Sequence, residues 1–165
     1  MDNVQDGTTQ SEISLDVVDH RILHALSADA RRSVTAIAAE LHLSRANTYE
    51  RISRLRHAGV LRGYTAVIDE RAAGLSTAAY VFLNLKQDDW EVLRAALADE
   101  PAVRHLSLVA GQYDAVLLVR TRTVEELRRV IFERIQSLAC VQSSQTALIF
   151  DDHAEHEHPL PRRLP

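Results

Sequence analysis

Apolar residues recur at helical spacing in three successive segments between Leu15 and Gly59. Their apolar faces are Leu15, Val18, Ile22, Leu23 and Leu26; Val34, Ile37, Ala38 and Leu41; and Thr48, Ile52 and Leu55. This spacing predicts three amphipathic helices. Ser33 and Ser44 precede the second and third helices, where a hydroxyl accepts a free backbone N–H. Gly59 follows the third helix, which we expect to run from about Ser44 to Ala58, and can adopt the left-handed conformation that ends it.

The segment after the third helix changes its pattern. Residues Val60 to Asp69 (VLRGYTAVID) alternate enough to predict a short strand or wing, which would make residues 15–64 a winged three-helix unit. Residues 65–76 include Gly74 and are expected to form a hinge or linker.

Beyond residue 76 strand-like and helical segments alternate. The predicted elements are a strand at 77–85, a helix at 88–99, strands at 103–109 and 113–119, a helix at 123–138 and a strand at 141–150. Gly111 and Gln112 provide the turn between the second and third strands. The order β-α-β-β-α-β is that of a ferredoxin-like fold. We therefore predict an α+β protein whose second domain, residues 77–150, is a sheet with two helices on one face.

Composition restricts the class of protein. The chain has 165 residues, of which 46% are hydrophobic and 25% charged, as in ordinary globular proteins. It contains no apolar run long enough to span a membrane, and its polar start, residues 1–14, is expected to be a disordered arm rather than a secretion signal. A single cysteine, Cys140, excludes an internal disulfide and a multi-cysteine zinc site. We expect a cytoplasmic protein without a required cofactor.

The formal net charge of −4 is distributed unevenly. Between His20 and Tyr64 there are eight arginines and three acidic residues, which gives this segment +5 and leaves −9 for the remainder. A basic block beside an acidic block indicates one region suited to phosphates and another with a different task. The alternative is an arginine-rich face that is merely solvated.

Three short helices suggest a helix-turn-helix, in which one helix braces another that enters the major groove of DNA. Helical geometry directs Asn47, Arg51 and Arg54 outward, and these side-chain types suit adenine and guanine edges. Tyr49 is expected to pack on the inner side. The candidate DNA contacts, including phosphate contacts and Thr48 of the inward stripe, are Ser33, Ser44, Arg45, Asn47, Thr48, Arg51, Arg54 and Arg62. Which of them reads a base is left open.

Four ordered motifs resemble those of the leucine-responsive/AsnC (feast/famine) regulators. They are LDxxDxxILxxL from Leu15, IAxxLxLS from Ile37, RIxRLxxxGVLxGY from Arg51 and GQYD from Gly111. The resemblance covers about residues 15–150, and the combination is highly specific. It implies a DNA-binding winged helix-turn-helix, a hinge and a RAM-type (ACT-like) domain that forms homodimers, and in some members octamers, and binds small effectors, usually amino acids. Thr48 departs from the family's usual aliphatic residue, and the tail at 151–165, expected to be flexible, extends beyond the usual family end.

The resemblance also suggests an effector site. It assigns Gly111, Gln112, Tyr113 and Asp114 to the effector loop and Thr146, on the last strand, to a ligand-facing hydroxyl. Glycine lets a backbone approach a small ligand closely, and a carboxylate accepts from an ammonium group. From the residues alone, a simple hairpin turn with a charge at the strand edge is the favoured interpretation.

The sequence gives weaker support to three other functions. The tail from Asp151 to His158 is dense in imidazoles and carboxylates that could bind zinc or nickel, but a flexible tail lacks the surrounding groups that orient ligands, so no metal site is predicted. Catalytic motifs are absent, so an enzyme is not expected. The third alternative is a small-molecule-sensing regulatory subunit whose winged helix binds protein, and the +5 charge disfavours it.

Overall fold

The computed structural model describes residues 14–86 and 89–151. The arm at 1–13 and the metal-capable tail after Asp151 lie outside this description. The chain divides into two compact units, and the division falls between Val67 and Ile68. Within the described residues, no helix combines the length and the apolar character needed to cross a membrane.

The N-terminal unit contains the three predicted helices, α1 (Val17–Ala28), α2 (Val34–Leu41) and α3 (Arg45–His57). Both predicted serine caps are present: the Ser33 hydroxyl accepts from the Ala36 N–H, and the Ser44 hydroxyl accepts from the Asn47 N–H, each at 3.1 Å. A reciprocal cap that the sequence interpretation missed begins α1. There the Asp16 carboxylate accepts from the Asp19 N–H, and the Asp19 carboxylate accepts from the Asp16 N–H.

Residues in the left-handed backbone conformation follow the second and third helices and end them. His42 has φ 55° and closes α2, which keeps its connection to α3 short. Gly59 has φ 71°, as predicted for the residue after α3. The turn at Gly59 brings the Leu61 N–H to the carbonyl of Leu55 at 3.0 Å. The chain leaving α3 therefore folds back against the end of that helix.

The predicted apolar stripes form the core of this unit. Ile22, Ile37 and Leu55 are fully buried, and Leu61 packs against the same cluster. Burying such side chains is the main stabilising contribution to a small helical unit. The helices therefore pack as their hydrophobic spacing predicts.

The strand predicted between Val60 and Asp69 is not formed in this chain. No strand occurs between α3 and Thr77, and Val67 and Ile68 are exposed. An extended segment becomes a strand only when a neighbouring strand pairs with its backbone groups, and alternation along one segment cannot supply that neighbour. After it, Asp69 accepts from the Ala72 N–H at 2.9 Å, and Gly74 has φ 98°, so this part of the linker forms a turn.

The C-terminal unit has the predicted order of elements. These are β1 (Thr77–Leu85), α4 (Trp90–Leu97), β2 (Val103–Leu108), β3 (Ala115–Thr121), α5 (Val124–Arg129) with its π-helical continuation (Val130–Ile135), and β4 (Val141–Ile149). The sheet order is β2-β3-β1-β4, and each neighbouring pair is antiparallel. This is the ferredoxin-like arrangement predicted from the sequence.

The second helix of this unit differs from the prediction of one continuous α-helix. The Thr123 hydroxyl caps α5 by accepting from the Glu126 N–H at 3.1 Å, but the helix widens after Arg129 into a π-helix. Val130, Ile131 and Ile135 of the widened segment are all buried against the sheet. Packing against the sheet therefore decides a local geometry that apolar spacing does not reveal.

The two faces of the sheet have different surroundings. Ala79, Val81 and Leu83 of β1 are fully buried in the core formed with the helices. The opposite face, here called the open face, is half-buried or exposed, and it carries Tyr80, Phe82, Val116, Leu118 and Gln145. The open face is thus the uncovered side of a two-layer sandwich.

Candidate nucleic-acid interface and effector loop

Thr48 is buried in α3 rather than presented to a ligand. Its side chain has no exposed surface, and its hydroxyl donates to the carbonyl of Ser44 at 3.0 Å. Ile52 and Leu55 continue the same buried stripe. The inclusion of Thr48 among the candidate DNA contacts is therefore wrong, because its position on the inward stripe removes it from the surface.

Arg51 is held by the first helix of the unit. One guanidinium nitrogen, Nη1, donates to Asp16 Oδ2 at 2.7 Å and to Asp19 Oδ1 at 2.8 Å, and Nε donates to Asn47 Oδ1 at 2.9 Å. Its side chain is only 23% exposed. Arg51 thus faces α1. The helical wheel had predicted that its side chain projects freely into solvent.

Arg54 shares the same carboxylate. Its Nη2 donates to Asp19 Oδ2, and the Asp19 side chain is fully buried. A buried carboxylate needs such charge-assisted hydrogen bonds to offset the loss of water. We call Asn47, Arg51 and Arg54 the closed flank of α3, because acidic residues of α1 neutralise its arginines.

The ion pairs of the closed flank shift two pKa values. The backbone N–H of Asp19 and the Arg51 guanidinium hold the pKa of Asp16 below its ordinary value, because both stabilise the carboxylate. The hydrogen bonds to Asp16 and Asp19 raise the pKa of Arg51. Each shift favours the charged form, so Asp16 and Arg51 form an ion pair at neutral pH.

The other side of α3 has a different character. Tyr49 is 68% exposed, so the expectation that it packs on the inner side is wrong. Beside it lies a groove of about 650 Å³. Its lining contains three basic side chains and no acidic one: Tyr49, Ile52, Ser53, Arg56, His57, Gly59, Leu61 and Arg62. We call Tyr49, Arg56, His57 and Arg62 the open flank of α3.

The remaining DNA candidates lie at the surface. Ser33, Ser44, Arg45 and Arg62 are exposed, and both serine oxygens are used as helix caps while their O–H groups can still donate. Within the ranges that the structure describes, the side chains of Arg45, Arg56 and Arg62 form no ion pair. Sequence reasoning missed Arg56 and His57, although the Arg-x-Arg-His run at the end of α3 is a visible basic signal.

The loop at residues 111–114 connects two strands of the sheet. Gly111 has φ 144°, which disfavours any other residue type, and both Gly111 and Gln112 are exposed. Asp114 Oδ2 accepts from the Leu85 N–H at 2.8 Å, and the Asp114 N–H donates to the carbonyl of Leu83 at 2.9 Å. The carboxylate thus anchors the loop to the end of β1.

The loop contacts the open face of the sheet through Tyr113. The Tyr113 hydroxyl donates to Gln145 Oε1, and its ring lies 5.1 Å from that of Phe82, centroid to centroid. Thr146 is exposed but pairs with fully buried Val81, which places it on the helix-covered face. The structure therefore brings Tyr113 beside Gln145, a residue that the sequence interpretation did not select, and separates it from Thr146.

Metal ligands do not cluster in the described part of the chain. No group of three or more His, Cys, Asp and Glu side chains there could hold an ion. Cys140 is buried in the core of the C-terminal unit.

The two units match two family models. Residues 15–56 match the AsnC-type helix-turn-helix domain, and residues 78–159 match the Lrp/AsnC ligand-binding domain. The transcriptional regulator AldR of Mycolicibacterium smegmatis is 34% identical over 149 residues, which cover 88% of this chain and 86% of AldR. The proline dehydrogenase transcriptional activator of Rhodobacter capsulatus is 30% identical over 148 residues, which cover 88% and 96% of the two chains.

Solved structures show the same fold. The leucine response regulatory protein LrpA of Mycobacterium tuberculosis has a TM-score of 0.78 at 28% identity, covering 89% of this chain and 100% of that one. A transcriptional regulator of Neisseria meningitidis in complex with L-methionine has a TM-score of 0.81 at 22% identity, covering 90% and 97%. The matched domains, the sequence relatives and the sheet topology agree: this chain belongs to the Lrp/AsnC family of helix-turn-helix transcriptional regulators.

Proposed function

We propose that this chain is a homo-oligomeric, cytoplasmic regulator that binds double-stranded DNA, and that a small effector of the amino-acid class modulates its operator binding or assembly. It acts by binding rather than by catalysis. The observation that carries the proposal is the pairing, in one chain, of a capped helix-turn-helix bearing a basic groove with a separate ferredoxin-like unit bearing an exposed glycine loop. The DNA-binding domain would then be residues 15–64, the hinge residues 65–76, and the effector-binding and oligomerisation domain residues 77–150.

The charge of the N-terminal unit supports DNA as the partner. Affinity for DNA comes largely from basic side chains that displace counterions from phosphates. Arg45 begins α3 and Arg62 lies just beyond its end, so basic side chains are available at both ends of the helix. The acidic excess lies mainly outside this unit.

The effector class is supported by the loop and by relatives. The Rhodobacter capsulatus relative activates proline dehydrogenase transcription, and the Neisseria meningitidis regulator was solved with L-methionine. In this chain, Gly111 allows close approach of a backbone, and Asp114 engages only Oδ2 in its hydrogen bond to Leu85. Its second oxygen is suited to an ammonium group, and Tyr113 and Gln145 add neighbouring polar atoms.

The open face supports self-association. It combines the aromatic pair Tyr80 and Phe82, whose ring centroids lie 6.5 Å apart, with Val116 and Leu118 of the neighbouring strand. A partly exposed apolar sheet face gains stability when a second copy covers it. The expected assembly is a homodimer or a multiple of it.

The proposed function is tested with the full-length protein and three measurements. Fluorescence anisotropy with a duplex from the region upstream of its own gene should show binding that weakens steeply between about 50 and about 200 mM salt. Light scattering should give the mass of a dimer or larger assembly. A thermal-shift screen of the twenty amino acids should raise the melting temperature for one or a few, because a ligand of the folded state stabilises it.

Each measurement can contradict its part of the proposal. A lack of salt-sensitive DNA binding at low salt would contradict the DNA function and favour a protein-binding winged helix. A monomer mass would contradict self-association. If no amino acid shifts the melting temperature, the effector class is wrong.

Asp114→Asn tests the effector loop in particular. The amide oxygen can still accept from the Leu85 N–H, so the fold is expected to persist, but the negative charge that attracts an ammonium group is lost. We expect DNA binding to be retained and the response to the identified amino acid to weaken at least tenfold, as for the loss of about 1.4 kcal/mol of binding free energy. Glu125→Gln, an exposed acid of α5, is the control. An unchanged response in Asp114→Asn would place the site elsewhere.

A further inference from the structure

The two flanks of α3 carry arginines in different electrostatic states. On the closed flank, Arg51 and Arg54 are hydrogen-bonded to the carboxylates of Asp16 and Asp19. On the open flank, Arg56 and Arg62 line a groove without a carboxylate. A DNA phosphate that approached Arg51 would have to compete with two carboxylates already in place, whereas no side chain that lines the groove is acidic.

We propose that the DNA backbone is bound by Arg56 and Arg62 on the open flank, and that Arg51 and Arg54 are positioning residues that fix α3 against α1. The inference rests on the proposed DNA-binding function and assigns its phosphate contacts. It replaces two of the candidate DNA contacts that the sequence suggested, Arg51 and Arg54, with Arg56.

The geometry of the groove is suited to a phosphate chain. The left-handed turn at Gly59 and the hydrogen bond from Leu61 to Leu55 bring Arg62 back beside the last turn of α3, where Arg56 lies. Two guanidinium groups from different segments therefore line one groove. Tyr49 and Ser53 add hydroxyl groups along the same wall, and both can donate to phosphate oxygens.

His57 contributes to the wall in a defined orientation. Its Nδ1 lies 2.7 Å from the carbonyl of Ser53, so this nitrogen carries the proton and donates to that oxygen. His57 thus forms part of the wall without directing that N–H into the groove, and the donors that line the groove are the guanidinium groups of Arg56 and Arg62 and the hydroxyl groups of Tyr49 and Ser53. Such donors recognise phosphate oxygens and carry no information about base sequence.

The closed flank fits a positioning role. Arg51 contacts Asp16, Asp19 and Asn47 at once, and Asp19 receives both arginines in a buried site. These contacts connect the first turn of α1 to the middle of α3. Their effect is to set the angle at which the exposed surface of α3 meets the groove of DNA, a geometry on which base contacts depend.

The salt dependence of DNA binding separates the two roles. Each lost phosphate contact lowers the slope of log affinity against log salt by about one unit. We expect Arg56→Gln and Arg62→Gln each to lower the slope by about one and to weaken specific and random DNA equally. Arg21→Gln is the matched control, since it removes an exposed arginine of α1 with the same change in charge, and its slope should equal that of the wild type.

The closed-flank variants are expected to behave differently. Arg51→Gln and Arg54→Gln should keep the wild-type slope while losing preference for the specific site over random DNA. Arg51→Lys should not rescue the preference, because a lysine keeps the charge but cannot form the forked contact with both carboxylates and Asn47. If Arg51 instead contacted a phosphate, the charge of the lysine in Arg51→Lys would restore the DNA binding that Arg51→Gln loses.

Asp16→Asn gives a test of sign. If Arg51 contacted phosphate, removing the competing carboxylate would strengthen DNA binding. If Arg51 is a positioning residue, the same change weakens specific binding although a negative charge has been removed. Asparagine still caps a helix, so α1 is retained.

The outcomes distinguish this inference from the proposed function. If the wild type shows no salt-sensitive DNA binding, the proposed function is wrong, and the inference is wrong with it. If the wild type binds but Arg56→Gln and Arg62→Gln keep its slope, or Arg51→Gln lowers the slope by about one, the inference alone is overturned. Stronger binding by Asp16→Asn would also overturn it.

Discussion

The closed and open flanks of α3 have similar basic content along the same helix but differ in their neighbours. Arg51 and Arg54 face a capping box at the start of α1, whereas Arg56 faces a groove formed by the chain leaving α3. The basic charge counted between His20 and Tyr64 begins one residue after Asp19. Extending the count to Leu15 adds Asp16 and Asp19 and lowers the formal charge from +5 to +3. A basic helix therefore contributes to a DNA interface only through cations that its own fold leaves unneutralised.

The largest expected effect on the free energy of unfolding comes from a core substitution that loosens α3 and so disturbs both flanks together. Leu55 is fully buried beneath α3, so Leu55→Ala leaves a cavity and should lower the free energy of unfolding by about 2 to 5 kcal/mol. Chemical denaturation followed by circular dichroism measures this change. The control is Tyr49→Ala, an exposed residue of the same helix, which should stay within about 0.5 kcal/mol of the wild type. A loss below about 1 kcal/mol for Leu55→Ala would show that α3 is not anchored by this core.

The next largest effect is expected from the closed flank alone. Asp19→Asn leaves Arg51 and Arg54 without their shared buried carboxylate, and we expect a loss of about 2 kcal/mol in the free energy of unfolding. The loss stays moderate because Arg54 is 46% exposed and can be hydrated. Glu50→Gln makes the same charge change on α3 without breaking a contact. Equal stabilities for these two variants would contradict the clamping of α3 by Asp19.

A smaller effect is expected from the turn that forms the open flank. Gly59 has φ 71° and open space around its missing side chain, so Gly59→Ala costs backbone strain of about 1 kcal/mol without a steric clash. Because the turn places Arg62 beside Arg56, the variant should also weaken DNA binding. Gly63→Ala, at a glycine without positive φ, is the matched control for both measurements. A Gly59→Ala protein as stable as the Gly63→Ala protein would exclude strain at this turn.

The smallest effect is a pH dependence of the closed flank. The folded-state pKa of Asp16 lies below its ordinary value of 3.8, so its ion pair stabilises the fold above that value and is lost as pH falls through the folded pKa. We expect wild-type protein to be more stable than Asp16→Asn at neutral pH and the difference to shrink under acidic conditions. Urea denaturation of both proteins across this range measures it. A difference that is independent of pH would mean that the Asp16 charge contributes nothing.

Most of the fold could be predicted from the sequence because its signals are local. Ser33 and Ser44 each stand directly before an apolar stripe and begin a helix there. The succession of strand and helix patterns after Thr77 predicts the ferredoxin-like fold, whose sheet order β2-β3-β1-β4 the structure shows. The strand expected at 60–69 failed because strand formation needs a pairing partner. The π-helical segment after Arg129 escaped prediction because six residues are too few for the apolar spacing to distinguish a π-helical turn from an α-helical one.

The candidate sites were less predictable because they depend on contacts between distant segments. Nothing near Arg51 in the sequence shows that Asp16 and Asp19 will neutralise it, and a helical wheel counts it as outward. Thr146 was selected from the family resemblance, yet the register of β4 places Gln145 on the side of Tyr113 and turns Thr146 away. A shift of one residue along a strand exchanges its two faces.

The helix caps, the apolar stripes, the order of the elements and the family of the chain all follow from the amino-acid sequence. These features depend on spacing over a few residues and on ordered motifs. Contacts made in the folded chain set which cations of α3 are neutralised, which side of the sheet Tyr113 contacts and whether residues 60–69 form a strand. Neutralisation of a charge, pairing of a strand and the choice of sheet face each require a second segment of the chain. Folding brings that segment close, and the spacing of residues along the sequence does not specify it.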